Sequence, residues 1–213
     1  MGHRVFVPGL AVRGSLYRPG LPDGWQALDP PPLGRTRGRF DACRRWLLQE
    51  LVACGPQVTL AGHSMGAALA ITAAAERPDL VERLVLLSPS GLPLSKPMRD
   101  SFALVVRQAL EGLYPPGEVA FVVFETVKHP RLTYRLAREA HDLDLREDMT
   151  RVARAHVPCL VVGYTRDTLT TPVICRAIAD ALGADFRQIE GSGHMWMLRD
   201  WPGFRALLAG DAR

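Results

Sequence analysis

Short uninterrupted apolar runs recur along this chain and predict the strands of a β-sheet. Six runs are strand candidates: residues 5–7, 26–28, 58–61, 84–87, 160–162 and 186–189. The three strongest, which begin at Val58, Leu84 and Leu160, show no alternation with polar residues. Continuous apolar runs are typical of strands that are covered on both faces, as in parallel sheets. The pattern therefore predicts a mostly parallel sheet of about six strands.

Helical patterns separate most of these runs. Residues 40–53 carry apolar side chains at helical spacing, and residues 65–76 are rich in alanine. Residues 172–182 begin with proline, which is favoured in a first helical turn, and are followed by Gly183. Strands that alternate with helices are typical of βα units, so the fold class predicted is α/β with helices flanking the sheet.

Residues 91–155 interrupt this alternation. Four helical segments are predicted there, near residues 98–113, 117–128, 131–141 and 145–154. A helical insertion between two strands predicts a cap, or lid, over the strand ends, so residues 1–90 and 156–213 would form the core. The alternative is that the insertion only adds core packing, without a role in substrate binding.

Composition narrows the class of protein. The chain has 213 residues, 47% of them hydrophobic, which suits one compact domain with an insertion. Its net charge of +4 comes mostly from arginines spread along the chain. The densest group (Arg35, Arg37 and Arg39) is interpreted as a solvated loop, so no nucleic-acid partner is expected. No signal peptide or membrane-spanning segment is evident, which predicts a cytoplasmic protein without a membrane partner.

The most informative motif is Gly62-His63-Ser64-Met65-Gly66, placed between an apolar run and a helical pattern. A nucleophilic serine must project from a sharp, strained strand-to-helix turn. Glycines two residues before and two residues after the serine avoid clashes there. Ser64 is therefore the predicted nucleophile. The alternative is an ordinary glycine-serine turn that enters an alanine-rich helix.

A serine nucleophile needs a base and an acid that orients the base, and in this topology both follow the serine, acid first. Asp167 follows the run that begins at Leu160, at the sheet edge where α/β folds bind ligands. His194 follows the last strand candidate, after Gly193. The chain order Ser64, Asp167, His194 predicts a catalytic triad. Asp167 could instead cap the helix at Pro172, and His194 could be a structural histidine.

The oxyanion that forms on acyl attack needs two donors. The backbone N–H of Met65, directly after the nucleophile, is the first prediction. The second is the N–H of Leu10, in the loop after the first strand, where Gly9 allows close approach.

These segments together resemble the α/β-hydrolase superfamily, in its compact, lidded, esterase-like branch. The stretch from Gly62 to Gly66 is similar to the nucleophile elbow, residues 163–172 to the acid loop, and Gly193-His194 to the histidine loop. The resemblance implies a cap domain at residues 91–155. It also implies a reduced sheet, because the run at residues 5–7 resembles the third strand of the family. Many members carry His-Gly in the oxyanion loop, where this chain has Pro8-Gly9.

The function that follows is a serine carboxylesterase, which cleaves esters of small to medium acyl chain through an acyl-enzyme. No metal and no organic cofactor is implied. Thioesterases, acyltransferases and C–C bond hydrolases use the same triad, so these activities stay open as alternatives. A non-catalytic ligand-binding protein is the alternative from another class.

Overall fold

The computed structural model of this protein describes residues 2–10, 12–94, 97–99, 115–191 and 193–210. Six strands form one sheet, in which every neighbouring pair is parallel. They are β1 (Arg4–Val7), β2 (Trp25–Ala27), β3 (Val58–His63), β4 (Val81–Leu87), β5 (Cys159–Tyr164) and β6 (Asp185–Ile189). Each contains one of the predicted apolar runs or most of it, so the predicted parallel sheet of about six strands is confirmed.

Helices connect the strands and cover both faces of the sheet. In the described ranges they are α1 (Leu33–Thr36), α2 (Phe40–Cys54), α3 (Met65–Glu76), α4 (Pro116–Lys128), α5 (Pro130–His141), α6 (Arg146–Arg154), α7 (Pro172–Leu182) and α8 (Trp201–Ala209). The residues that start and end a helix are clearest at α7. The Thr171 hydroxyl accepts a hydrogen bond from the Ile174 N–H, and Gly183 ends the helix at a φ of 62°.

The strand order, β2-β1-β3-β4-β5-β6, fixes where a ligand can bind. From β1 the chain first proceeds outward to β2, then returns past β1 to β3 and continues in the other direction. The loops after β1 and β3 therefore leave the sheet side by side at their carboxyl ends. Such a topological switch point opens a crevice there in α/β sheets. Gly9 and Ser64 lie on these two loops.

Two hydrophobic cores flank the sheet, and the pleat of β4 divides its side chains between them. Leu84 and Leu86 pack in the core on the side of α2, α3, α6 and α7, whereas Val85 and Leu87 face the core on the side of α8. All four side chains are at most 2% exposed. Burial on both faces explains the lack of polar alternation in the sequence.

Helix α3 is the centre of the larger core. Every residue from Met65 to Ala74 is buried, and the alanines let the helix approach β1, β3 and β4 closely. Met149 and Val152 of α6 are completely buried in the same core, and α6 contacts both α3 and α7. The last helix of the predicted insertion thus packs against the helices that cover the sheet.

The other described helices of the insertion are held to the core through carboxylates, of which Glu118 is buried and Glu139 is partly exposed. On α4, Glu118 receives hydrogen bonds from the Arg13 guanidinium and the Ser15 hydroxyl, both at 2.7 Å. On α5, the Glu139 carboxylate accepts the Phe40 N–H at 2.7 Å, at the start of α2. Most of the first helix predicted in the insertion, near residues 98–113, lies outside the described residues. The assignment of residues 91–155 to a cap stays a prediction.

None of the helices in the described part of the chain is both long and apolar enough to span a lipid bilayer.

Candidate active site

Ser64 occupies a strained turn between β3 and α3. Its φ of 53° and ψ of −118° lie outside the regions that side-chain-bearing residues prefer. Hydrogen bonds hold this conformation from both sides. The Ser64 N–H donates to the Leu87 carbonyl at 3.0 Å, and the Ala67 and Ala68 N–H groups donate to the Ser64 carbonyl. The side chain lies at the carboxyl end of the sheet, as the sequence predicts for a nucleophile elbow.

The two flanking glycines are required by backbone contacts. A Cβ atom at Gly62 would lie 2.6 Å from the Gly66 carbonyl, and one at Gly66 would lie 2.2 Å from the Val7 carbonyl oxygen. Neither obstacle is a movable side chain. The turn can form only with glycine at both positions.

This packing predicts a large loss of stability for Gly66→Ala. Because the added methyl group would clash with the backbone of β1, we expect the free energy of unfolding to fall by roughly 3 kcal/mol or more. Gly117 of α4 is the matched control, since a Cβ there meets no atom within 4 Å. Gly117→Ala should leave stability unchanged or raise it by up to about 1 kcal/mol. Urea denaturation measures both, and a loss of under about 1 kcal/mol at Gly66 would contradict the tight turn.

The structure brings Asp167 and His194 into direct contact. The Asp167 Oδ2 lies 2.8 Å from the His194 Nδ1. The two residues are 3% and 6% exposed, so water does not screen the pair effectively. A carboxylate can only accept a hydrogen bond, so the Nδ1 carries the proton and the other ring nitrogen can act as a base.

Asp167 is held by more groups than the sequence indicates. Its Oδ2 accepts the Ser88 hydroxyl at 2.7 Å and lies 2.9 Å from the Thr170 hydroxyl. Its Oδ1 accepts the N–H groups of Leu169 and Thr170. Burial alone would raise the pKa of Asp167. The facing His194 and the donated hydrogen bonds outweigh that penalty and lower the pKa to about 2.

Ser88 and Thr170 were not singled out in the sequence. Ser88 directly follows β4, at the same sheet edge as Ser64, and has a φ of 42°. Its place after a buried apolar run is the signal that could have indicated it. Ser90 lies nearby, and its N–H donates to the Ser64 carbonyl at 3.2 Å. The loop after β4 therefore links the strained turn at Ser64 to the acid at Asp167.

His63 forms a second buried contact with the histidine loop. Its Nε2 lies 2.9 Å from the His194 carbonyl oxygen, and its Nδ1 lies 3.0 Å from the Tyr17 hydroxyl. A carbonyl only accepts, so Nε2 carries the proton and Tyr17 donates to Nδ1. The rings of His63 and His194 have centroids 4.6 Å apart. His63 directly precedes Ser64, so its hydrogen bond ties the backbone of His194 to the turn that carries Ser64. Sequence reasoning missed this contact.

His63 should make the stability of the protein depend on pH. Burial, and the neighbouring His194, lower the pKa of His63 to about 3, from an ordinary value of 6.5. The unfolded chain then binds one more proton than the folded one between these values. Stability contributed by the neutral ring is complete above about pH 7 and decreases as pH falls, by ~2 kcal/mol between pH 7 and pH 5.

The test compares the wild type with His63→Gln, which cannot titrate. The stability difference between them should change by ~2 kcal/mol between pH 7 and pH 5, measured by urea denaturation. Tyr17→Phe is the control, because it removes one hydrogen bond yet leaves the imidazole buried. Its cost of about 1 kcal/mol should be the same at both pH values. Parallel curves for wild type and His63→Gln would contradict the buried neutral ring.

The loop after β1 passes beside the turn at Ser64. A Cβ at Gly9 would lie 3.6 Å from the Ser64 Cβ and 3.2 Å from the His63 Nδ1. Leu10 follows Gly9 directly, and Met65 is the first residue of α3, where backbone N–H groups have no acceptor within the helix. Backbone donors of two segments are thus available near Ser64.

In the described ranges, no three His, Cys, Asp or Glu side chains converge as metal ligands would.

Comparisons with known proteins agree with this architecture. Est816, an N-acyl homoserine lactone degrading enzyme, has a similar structure with a TM-score of 0.75 and 19% identity over 100% of this chain and 93% of that one. A serine hydrolase involved in carbazole degradation has a TM-score of 0.75 and 20% identity, over 99% and 90% of the two chains. The N-formylmaleamic acid deformylase of Pseudomonas putida S16 has a TM-score of 0.71 and 18% identity, over 96% and 90%.

At these identities the solved structures support the fold alone. A search of curated proteins finds no match. The family model is more decisive, because the model of the alpha/beta hydrolase family matches residues 2–207, nearly the whole chain. This protein therefore belongs to the alpha/beta hydrolase family.

Proposed function

We propose that this hydrolase is a serine esterase, which cleaves carboxylic esters of small to medium acyl chain through an acyl-enzyme. One observation carries the proposal. Ser64 lies on a strained turn at the carboxyl end of the sheet, and that turn is linked through His63 and the loop after β4 to a buried Asp167–His194 pair.

In the first step His194 acts as the general base. The Nδ1 of His194 donates its proton to Asp167 in a hydrogen bond, which leaves the Nε2 free to act as the base. The Nε2 takes the proton of the Ser64 hydroxyl while the Ser64 oxygen attacks the ester carbonyl. The imidazolium that forms is stabilised by the Asp167 carboxylate. His194 then gives the proton to the departing alcohol, which leaves the acyl group on Ser64.

Water completes the cycle. His194 removes a proton from a water molecule, which attacks the acyl carbonyl, and the carboxylic acid leaves as the proton returns to the Ser64 oxygen. In both steps the negative charge on the carbonyl oxygen needs donors that are already in place. We assign this role to the backbone N–H groups of Met65 and Leu10, since the loop of Gly9 lies against Ser64.

The helices α4 and α5 belong, in this proposal, to a cap at residues 91–155 that limits the size of the substrate. Both are held to the core by carboxylates, at Glu118 and Glu139. α6, by contrast, is buried against α3 and α7 and serves as a support. A cap that covers the strand ends would exclude water and favour uncharged acyl groups.

The experiment is hydrolysis of p-nitrophenyl esters, from acetate to a long acyl chain, combined with labelling by a fluorophosphonate probe. We expect turnover with the shorter esters and a single phosphonate adduct, which mass spectrometry should locate at Ser64. An adduct without ester turnover would indicate that the enzyme instead hydrolyses thioesters, transfers acyl groups or cleaves C–C bonds. Absence of both adduct and turnover in folded protein would refute a serine hydrolase and favour a ligand-binding role.

A further inference from the structure

A groove of about 550 Å³ lies where the turn between α1 and α2 meets α5. Its walls carry five arginines and one aspartate: Arg35, Arg37, Arg39, Arg45, Arg135 and Asp41. Four of the arginines come from residues 35–45, and the fifth comes from α5. The sequence shows only the first three as a cluster, because the other two are brought to it by the fold.

Most of this positive charge is not neutralised by the described part of the chain. The guanidinium groups of Arg35, Arg37 and Arg39 are exposed and form no ion pair with any described residue. Asp41 is already shared between Arg45 and Arg44. The groove therefore keeps a local excess of positive charge, which an anion would relieve.

The backbone beneath these arginines is held in place. Arg37 has a φ of 52°, in the left-handed region that non-glycine residues seldom adopt, and Gly38 follows with a φ of 61°. A Cβ at Gly38 would lie 2.3 Å from the Leu132 carbonyl oxygen of α5. The turn thus packs directly on α5, and this contact sets the two arginine-bearing walls against each other.

Arg135 completes the second wall. Its Nε lies 3.1 Å from one carboxylate oxygen of Glu139. The other oxygen of Glu139 accepts the Phe40 N–H at the start of α2. One carboxylate thus orients the guanidinium of α5 and ties it to the helix that carries Arg45, so the groove is shaped before any ligand binds.

We infer that this groove binds a small molecule that carries two adjacent phosphate groups. Guanidinium groups bind phosphate oxygens through paired hydrogen bonds. Three of the five in the groove have no carboxylate partner among the described residues, and this excess of charge matches two adjacent phosphates better than one. The volume lies within the range of small-molecule sites. Among the described residues no aromatic side chain lines the groove, whereas single-stranded nucleic acids are bound on stacking platforms. This inference is independent of the proposed esterase activity.

A diphosphate could come from a free nucleoside diphosphate or from the nucleotide end of coenzyme A. Isothermal titration of the wild type with ADP, coenzyme A and inorganic phosphate, at constant ionic strength, separates these sources. Equal affinity for ADP and coenzyme A indicates that only the shared nucleotide diphosphate is bound. Affinity at least about tenfold higher for coenzyme A indicates that the groove also binds its additional 3′-phosphate or its pantetheine arm, and so selects coenzyme A over ADP.

The groove variant is Arg39→Gln with Arg135→Gln, which removes one guanidinium from each wall. The matched control is Arg83→Gln with Arg154→Gln, because it removes the same charge from exposed residues outside the groove. We expect the groove variant to weaken ADP binding at least about tenfold and the control to change it less than about twofold. Circular dichroism checks that both variants are folded.

Three results would overturn the inference. They are no measurable binding of ADP or coenzyme A by the wild type at millimolar concentration, equal weakening in the groove and control variants, and inorganic phosphate that binds as tightly as ADP. The second would indicate only a general attraction of anions to a basic protein, and the third would indicate a site for single anions.

Discussion

Replacing Ser64 by alanine is expected to lower kcat for p-nitrophenyl esters by roughly 10⁴- to 10⁶-fold, with little change in stability. The hydroxyl supplies the oxygen that forms the acyl-enzyme, so nothing replaces it in the variant. A residual rate above that in water can persist, because backbone donors at Met65 and Leu10 would still polarise a bound ester. The measurement is turnover of the ester on which the wild type is fastest.

Ser90→Ala is the control for this comparison. Ser90 is also buried, at 6% exposure, and its backbone N–H already contacts the Ser64 carbonyl. Its side chain has no role in the proposed mechanism, so kcat should stay within a few-fold of the wild type. Turnover in folded Ser64→Ala above about a tenth of the wild-type rate would remove Ser64 from the mechanism.

Features that depend on local pattern could be predicted from the sequence. The runs that begin at Val58, Leu84 and Leu160 became β3, β4 and β5, because burial on both faces leaves a continuous apolar signature. The turn at Ser64 is likewise local, since the clashes that demand glycine involve either its own segment or the adjacent β1. The order of Asp167 and His194 along the chain, and their positions after strands, predict that they act together, and the structure places their side chains in contact.

Contacts between distant segments could not be predicted in this way. Ser88 meets Asp167 across 79 residues, and His63 meets His194 across 131, so no spacing rule relates them. The position of His63 in the motif gives no sign that its ring turns towards the histidine loop. Both residues share a simple property in the fold, since each lies at the carboxyl end of a central strand.

The arginine groove illustrates the same limit. Arg35, Arg37 and Arg39 lie close together in sequence, where they predict a solvated loop, and all three are exposed. Arg135 joins them only because the turn at Gly38 packs on α5. Whether neighbouring charges are simply solvated or converge on a ligand depends on this tertiary contact, which the sequence of the loop does not contain.

The second large effect is expected for Asp167→Asn, which should lower kcat by about 10³- to 10⁴-fold near neutral pH. An amide can donate as well as accept, so it no longer requires the proton to stay on the His194 Nδ1. It also carries no charge to stabilise the imidazolium. Ser88→Ala is the graded comparison, because it removes one of the hydrogen bonds to the carboxylate and leaves its charge. Its kcat should fall by no more than about tenfold.

Stability gives Asp167 an independent signature. Because its folded pKa of about 2 lies below the ordinary value of 3.8, the ionised carboxylate stabilises the folded state at every pH above about 4. That contribution, ~2 kcal/mol, is lost as pH falls through about 2. Asp167→Asn should therefore be less stable than the wild type at neutral pH, and the difference should shrink below pH 4. If the variant keeps both full turnover and full stability, neither the charge nor the hydrogen bonds of Asp167 support His194. The catalytic acid would then have to be another residue of the chain.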